Sequence, residues 1–300
     1  MSKSKKLIFF GNERLATGVS TDVPTLRALV KAGYEVVAVV VNHTEGISRN
    51  KRGLEIVEVA HAYHIPVLIP DKLEDVTERL IKIGAEAGVL VAYGKIISQA
   101  IIDIFPKGII NIHPSMLPKY RGPTPVETVI LDGVASTGVS LMALGAKMDA
   151  GPVYVQTEVN LEGHEIKPDL AKKLLQTGSH MLIENLEYIL DGTLESLPQD
   201  PAEVTYTKLL DKKDGWVDFS EPAEVIERKV RAFLGFPKTR ANILNNEVVI
   251  TGARVAKTHE DGHLVLKANP GYVEIKELIA PSGRSMSGAD YIRGYKKLTK

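Results

Sequence analysis

The sequence predicts a doubly wound, mostly parallel α/β sheet followed by a small OB-like β-barrel, and three observations carry that expectation. In the first half, short Val/Ile/Leu runs that do not alternate with polar residues are separated by amphipathic stretches, as expected of strands buried on both faces and joined by helical crossovers. Residues 191–206 then lose all periodicity. Beyond them come brief strand-like runs set off by tight-turn pairs, the pattern of a small closed sheet.

The elements follow in order. "KLIFFG" reads as a first strand, "VPTLRALVKAG" as a helix with proline near its start and glycine after its end, and "YEVVAVVVN" as a second buried strand. "GLEIVEVAHAYH", "DVTERLIKIGA" and "SQAIIDIF" carry helical spacing, while "IPVLIP", "AGVLVAYG" and "GIINIH" are apolar runs of strand length. "TGVSLMAL" and "GPVYVQTEVNL" extend the sheet, and "KPDLAKKLLQTGSHMLIENLEYILDG" predicts a long helix closed by glycine. These segments define a first domain over 1–190. "DGTLESLPQDPAEVTY", 191–206, mixes Pro, Gly, Ser and acids and reads as a linker. In 207–300 the helix "AEVIERKVRAF" precedes "RANILNN", "EVVITGARV", "HLVLKA" and "GYVEIKEL", the strands of the barrel.

Composition narrows the function. With 300 residues, 44% hydrophobic and 25% charged, disorder and fibrous repeats are excluded. The absence of cysteine rules out disulfides, thiolate metal sites and a cysteine nucleophile, and agrees with a reducing cytoplasm. Only four apolar residues precede Gly11, too few for a secretory leader. No apolar run approaches the roughly 18 residues of a membrane span. Neither GxGxxG nor GxxxxGK[ST] occurs, so no nicotinamide or nucleoside triphosphate is expected. The charges balance overall but not along the chain. Residues 207–300 hold 17 Lys+Arg against 12 Asp+Glu, which leaves 20 against 25 of the 37 of each sign for the remainder. A net +5 barrel on an acidic first domain permits an anionic partner for the barrel.

The chemistry concentrates in "NIHPSMLPKYRGPTP". Asn111, His113 and Ser115 alternate at a strand end, so their side chains face one way, just before prolines that forbid further strand. An uncharged amide suits a developing oxyanion, and an imidazole exchanges protons near neutral pH. Asp149, in the glycine-flanked loop of "ALGAKMDAGPV", supplies the carboxylate. Such a trio needs no metal and no side-chain nucleophile, and suits an amine brought by the substrate. On spacing alone the plainer readings stand beside it: a hydrogen-bonded strand-end histidine, a turn-capping asparagine, a turn aspartate.

At these residues the sequence resembles the folate-dependent formyltransferases, whose motif N-[VIL]-H-x-S-x-L-P-x-[YW]-R-G is followed by T-G-V and M-D-[TA]-G. Here they stand as "NIHPSMLPKYRG", "TGVSLMAL" and "MDAG". The resemblance extends through "TYTKLLDKKDGWVDFSEPAEVIERKVRAFLGFPKTRA", like the family's domain junction, to "IAPSGRSMSGADYIRG" near the C-terminus. It implies a Rossmann-like catalytic domain and an OB-like tRNA-binding domain. It also implies 10-formyltetrahydrofolate as donor and, as acceptor, the α-amine of methionine on initiator tRNA. Apart from the resemblance, the trio calls for no metal, the apolar runs for no membrane, and a monomer is the default expectation. Carried onto this chain, Asn111 would donate to the carbonyl oxygen, and His113 would stabilise that oxygen and pass a proton to the folate nitrogen. Asp149 would orient His113 and help accept the amine's proton. Ser115, Met116, Leu117 and Pro118 correspond to a folate-contacting turn, Tyr93 and Gly94 to a wall for the pterin, and the Arg121–Gly122 loop to a shaper of the same pocket.

Two stretches depart from the family pattern. "GNERLATG" replaces a Thr-Pro pair after the first strand, and "NHTEGISRNKRG" replaces a longer Pro-Asp-Arg loop after the second. In that second loop Arg49, Lys51 and Arg52 are the expected tRNA contacts, although such a charge run is equally a solvated loop. A sugar-nucleotide N-formyltransferase would share the Asn-His-Asp trio, and a tRNA-binding protein with an inactive catalytic domain would share the fold. The basic barrel favours a tRNA acceptor over the first, and the intact trio counts against the second.

Overall fold

The computed structural model of the protein describes residues 5–42 and 54–295. Its first strand, β1 (Lys6–Gly11), sends alternate side chains to opposite faces: Leu7 and Phe9 enter one core, Ile8 and Phe10 a second. Both sets are fully buried, so the run cannot alternate with polar residues. The chain continues through α1 (Pro24–Lys31), β2 (Glu35–Val40), α2 (Glu55–Ala62), β3 (Val67–Leu68), α3 (Thr77–Ile83), β4 (Ala87–Val91), α4 (Gln99–Ile102) and β5 (Ile109–His113). It then runs through α5 (Pro125–Asp132), β6 (Ser136–Ala143), β7 (Val153–Asn160) and α6 (Lys167–Asp191). The sheet order is β3-β2-β1-β4-β5-β6-β7. The five strands from β3 to β5 are parallel, while β6 and β7 are antiparallel to their neighbours. The sheet is thus the mostly parallel, doubly wound one expected.

Helix α6 lies across β5 and β6 at a glycine. A methyl group on Gly178 would stand 2.4 Å from Cγ2 of Ile112 and 3.1 Å from Cγ1 of Val139. Glycine therefore serves close helix-to-sheet packing here, at the strand that ends in His113.

The C-terminal part folds as α7 (Ala223–Ala232), β8 (Thr239–Ile243), β9 (Asn246–Ala256), β10 (Val265–Lys267), β11 (Tyr272–Ile279), β12 (Ser285–Ser287) and α8 (Gly288–Tyr295). β9 and β11 form the centre of a curled antiparallel sheet, with β8 on one side and β10 and β12 along successive parts of β11 on the other, consistent with the OB-like expectation. α7 contributes Ala223, Ile226 and Val230 to its core. The last helix, α8, carries no strong sequence signal in its short span, yet it seals the barrel with Tyr291, fully buried and donating its hydroxyl to the Ile243 carbonyl at 2.9 Å.

Residues 191–206 are tied down rather than free-running. Leu197 and Val153 exchange both backbone bonds at 2.8 Å, and Tyr206 forms a parallel bridge with Arg121. A buried cation joins the two parts of the chain: Lys167, fully buried, donates to the carbonyls of Thr17 at 3.0 Å and Phe236 at 2.7 Å. No helix among the described residues is long and apolar enough to cross a membrane.

Candidate active site

β5 changes character along one face. Ile109 packs into the second core, and the next two side chains up that face are Asn111 and His113, each buried. Beyond the carboxyl ends of β1, β4 and β5 opens a cavity of about 470 Å³. It lies where the strand order reverses between β1 and β4, the place where open α/β sheets bind ligands. Asn111, His113 and Asp149 line it, and so do Tyr93 and Gly94.

The histidine's two nitrogens have different surroundings. Nε2 lies 3.0 Å from the Tyr120 carbonyl oxygen, and since a carbonyl can only accept, Nε2 carries the proton. Nδ1 is left as the basic atom, 3.8 Å from Oδ1 of Asp149. That separation exceeds a hydrogen bond. The other oxygen, Oδ2, accepts from the Gly122 backbone N–H at 2.7 Å. Gly122 has φ +107 and lies against Thr207, whose Oγ1 a Cβ would approach to 2.8 Å, so this donor is available only from glycine. Asp149 itself has a left-handed backbone, φ +47.

Ser115, Met116, Leu117 and Pro118, expected to touch folate, do not line the cavity. Ser115 is fully buried; its N–H donates to the His113 carbonyl at 2.9 Å and its hydroxyl to the Lys119 carbonyl at 2.7 Å. The hydroxyl of Ser140 donates to the Ser115 carbonyl at 2.6 Å and accepts from the Leu117 N–H at 3.1 Å. Met116 covers Gly138, where a Cβ would meet its sulfur at 2.4 Å. Thr205 donates its N–H to the Pro118 carbonyl at 3.3 Å. These bonds hold the turn against the sheet and the 191–206 segment, directly after His113. Arg49, Lys51 and Arg52 lie outside the described residues.

Three polar residues at the site escaped the sequence reading. Asn42, which ends the run "VVVN", lines the cavity and has a buried Oδ1 with no hydrogen-bond partner among the described residues. A polar residue closing a strand run, as at Asn111, was the available signal. Glu127 on α5 also lines the cavity, 2% exposed and 3.5 Å from Nζ of Lys167. Burial pushes its carboxyl up and Lys167 pulls it part of the way back, while burial pushes Lys167 down. Gln199 reaches the Asp149 loop from the 191–206 segment, and nothing in its linker-like neighbourhood marks it.

The family described as "Formyl transferase" matches residues 16–186, and "Formyl transferase, C-terminal domain" matches residues 209–296. These matches define the class: the chain is a formyl transferase. Within that class it belongs to the methionyl-tRNA formyltransferase family. The methionyl-tRNA formyltransferase of Chloroflexus aggregans is 36% identical, with 96% of this chain and 97% of that protein covered. That of Thermotoga neapolitana is 31% identical, with 98% and 93% covered. Among solved structures, the N-formyltransferase of Helicobacter canadensis in complex with folinic acid and dTDP-3-aminofucose superposes with TM-score 0.68 at 20% identity, over 90% of this chain and 98% of that one. HypX from Aquifex aeolicus in complex with tetrahydrofolic acid gives 0.64 at 16% identity, over 98% of this chain and 47% of that one. At these identities the structural likenesses speak to fold.

Proposed function

We propose that this chain transfers the formyl group of 10-formyltetrahydrofolate to the α-amine of methionine on initiator tRNA, in the cytoplasm and as a monomer, using Asn111, His113 and Asp149. The observation that carries the reading is the convergence of an amide, an imidazole and a carboxylate on one cavity in a chain matched nearly end to end by methionyl-tRNA formyltransferases.

The cavity suits a folate. Tyr93, packed edge-on against Phe10 with ring centroids 6.0 Å apart, and Gly94 form a wall beside Asn42, whose free Oδ1 can take a hydrogen bond from an amino-substituted ring. Bound there, the folate supplies the formyl carbon. The Asn111 amide donates to the carbonyl oxygen as that oxygen gains charge, a contribution that grows toward the transition state. Nδ1 of His113, unprotonated in the resting ring, takes the proton that the attacking amine loses and gives it to the folate nitrogen as the bond from that nitrogen to the formyl carbon breaks, with Asp149 beside the transient imidazolium and the Tyr120 carbonyl holding the ring's other edge. The attacking amine must arrive neutral, and its proton leaves by the Asp149–His113 pair. Residues 1–190 act as the catalytic unit, 207–300 as the tRNA-binding unit, and 191–206 as the connection. Arg49, Lys51 and Arg52 serve as acceptor-stem contacts.

The test combines the protein with 10-formyltetrahydrofolate and methionyl initiator tRNA. Formyl-methionine should form and should vanish in His113→Ala. Transfer to an amino-sugar nucleotide in place of the tRNA would replace this reading with a sugar N-formyltransferase, and tRNA binding with no transfer at all would replace it with an inactive binding protein.

A further inference from the structure

Gln199 lies in the stretch whose composition reads as a linker, between the backbone anchors at Leu197 and Tyr206. All of its side-chain hydrogen-bonding capacity is used. The amide nitrogen donates to the Asp149 carbonyl at 2.8 Å and the Gly151 carbonyl at 2.7 Å. The amide oxygen accepts from Nε of Arg121 at 3.0 Å and Nη2 at 2.7 Å. Two donors and two lone pairs are what a primary amide offers.

These bonds complete a ring. Arg121 is followed by Gly122, whose N–H holds Oδ2 of Asp149, so Gln199 fixes the Asp149 backbone while Arg121, through its neighbour, fixes the same residue's carboxylate. Asp149 needs such support, because a left-handed backbone costs a non-glycine residue roughly 1 kcal/mol or more. Arg121 is 7% exposed and takes a further contact from Tyr206, with its Nη1 donating to the phenol oxygen at 3.3 Å.

We propose that Gln199 is a positioning residue for formyl transfer, acting through Asp149 by setting where Oδ1 stands relative to Nδ1 of His113. The inference rests on the role given to Asp149 above. Methionine at 199 fills similar volume and loses all four bonds. Glutamate keeps the Arg121 pairing but has no donor for the two loop carbonyls.

The experiment measures steady-state formyl transfer by the full-length protein for Gln199→Met, Gln199→Glu, Asp149→Asn and the Asp149→Asn/Gln199→Met double variant, together with amide hydrogen exchange across residues 145–151. Both Gln199 variants should lower kcat by about 100-fold, the scale of a misplaced catalytic group. KM for tRNA and folate should stay within about threefold, and exchange in the 145–151 loop should quicken. In the Asp149→Asn background, Gln199→Met should cost nothing further, as for residues that act as one unit. Wild-type kcat in both Gln199 variants, or a full multiplicative loss on top of Asp149→Asn, overturns the proposal and leaves the catalytic trio standing. Wild-type kcat in Asp149→Asn removes the trio's carboxylate and this proposal together, so the two failures are told apart. If Gln199→Met fails to fold, Gln199→Glu, which retains the Arg121 contact, decides the question through the same loop exchange and kcat.

Discussion

Nδ1 of His113 faces Oδ1 of Asp149 across 3.8 Å, while Nε2–H of the same ring is committed to the Tyr120 carbonyl. One nitrogen is thereby fixed as a donor and the other left without a hydrogen. The carboxylate stands beyond hydrogen-bond reach of the ring, its other oxygen held by the Gly122 N–H.

Asp149→Asn keeps the shape of the side chain and removes the charge. It should lower kcat by about 10²- to 10⁴-fold, the usual range for general acid–base partners, with a smaller change in KM. Single-turnover formylation of methionyl-tRNA measures it, and an unchanged rate would take Asp149 out of the chemistry.

The Glu127–Lys167 pair lies 3.5 Å apart with both side chains almost wholly inaccessible. Replacing one member strands the other, at about 3–5 kcal/mol. Lys167→Met should therefore unfold at markedly lower urea than wild type, and Glu127→Gln/Lys167→Met should recover part of the loss. A double variant no better than Lys167→Met alone would show that the carbonyls of Thr17 and Phe236, rather than Glu127, set the cost.

Burial lifts the Glu13 carboxyl from its ordinary 4.5 to about 7, even though the Thr25 and Leu26 N–H groups at the start of α1 each donate to it at 2.8 Å and pull it down. With the folded pKa above the unfolded one, the native state holds the extra proton between those values. This contribution to stability is fully present below about pH 4.5 and is lost as pH rises through 7. Unfolding free energy should fall by about 2 kcal/mol between pH 5.5 and 8 relative to Glu13→Gln. Parallel pH profiles for the two proteins would exclude Glu13 as the source.

Gly178→Ala sets two effects of opposite sign against each other. Helix propensity alone favours alanine by about 1 kcal/mol. The new methyl, 2.4 Å from Ile112, must push α6 off the sheet, at about 1–3 kcal/mol. The variant should be less stable by urea titration, and a stabilised protein would mean that α6 can shift at little cost.

What could be read from the sequence was what repeats locally. Non-alternating apolar runs located β1, β2, β4 and β5, because strands buried on both faces have no other pattern open to them. The strand-end alternation of Asn111 and His113 put both on one face, where the structure has them. The reversed direction of β6 left no local trace, since direction depends on the partner strand. The folate-contacting role of the Ser115–Pro118 turn came from the family motif alone, and its hydrogen bonds into β6 and the 191–206 segment join residues too far apart in the chain to be read from the sequence. Gln199 was invisible for a related reason: its three partner residues are all at least 48 positions away in the chain, and its neighbours have the composition of a tether.

The ammonium of Lys167 grips one carbonyl from each half of the molecule, Thr17 from the first and Phe236 from the approach to the barrel. Swinging the halves apart would take the Phe236 carbonyl, the shortest of its contacts, from a cation that is fully buried. The protein is therefore built as a caliper and not as a hinge: the gap between its reaction chamber and its basic lobe is set before any acceptor arrives, and a substrate that touches both must itself span that gap.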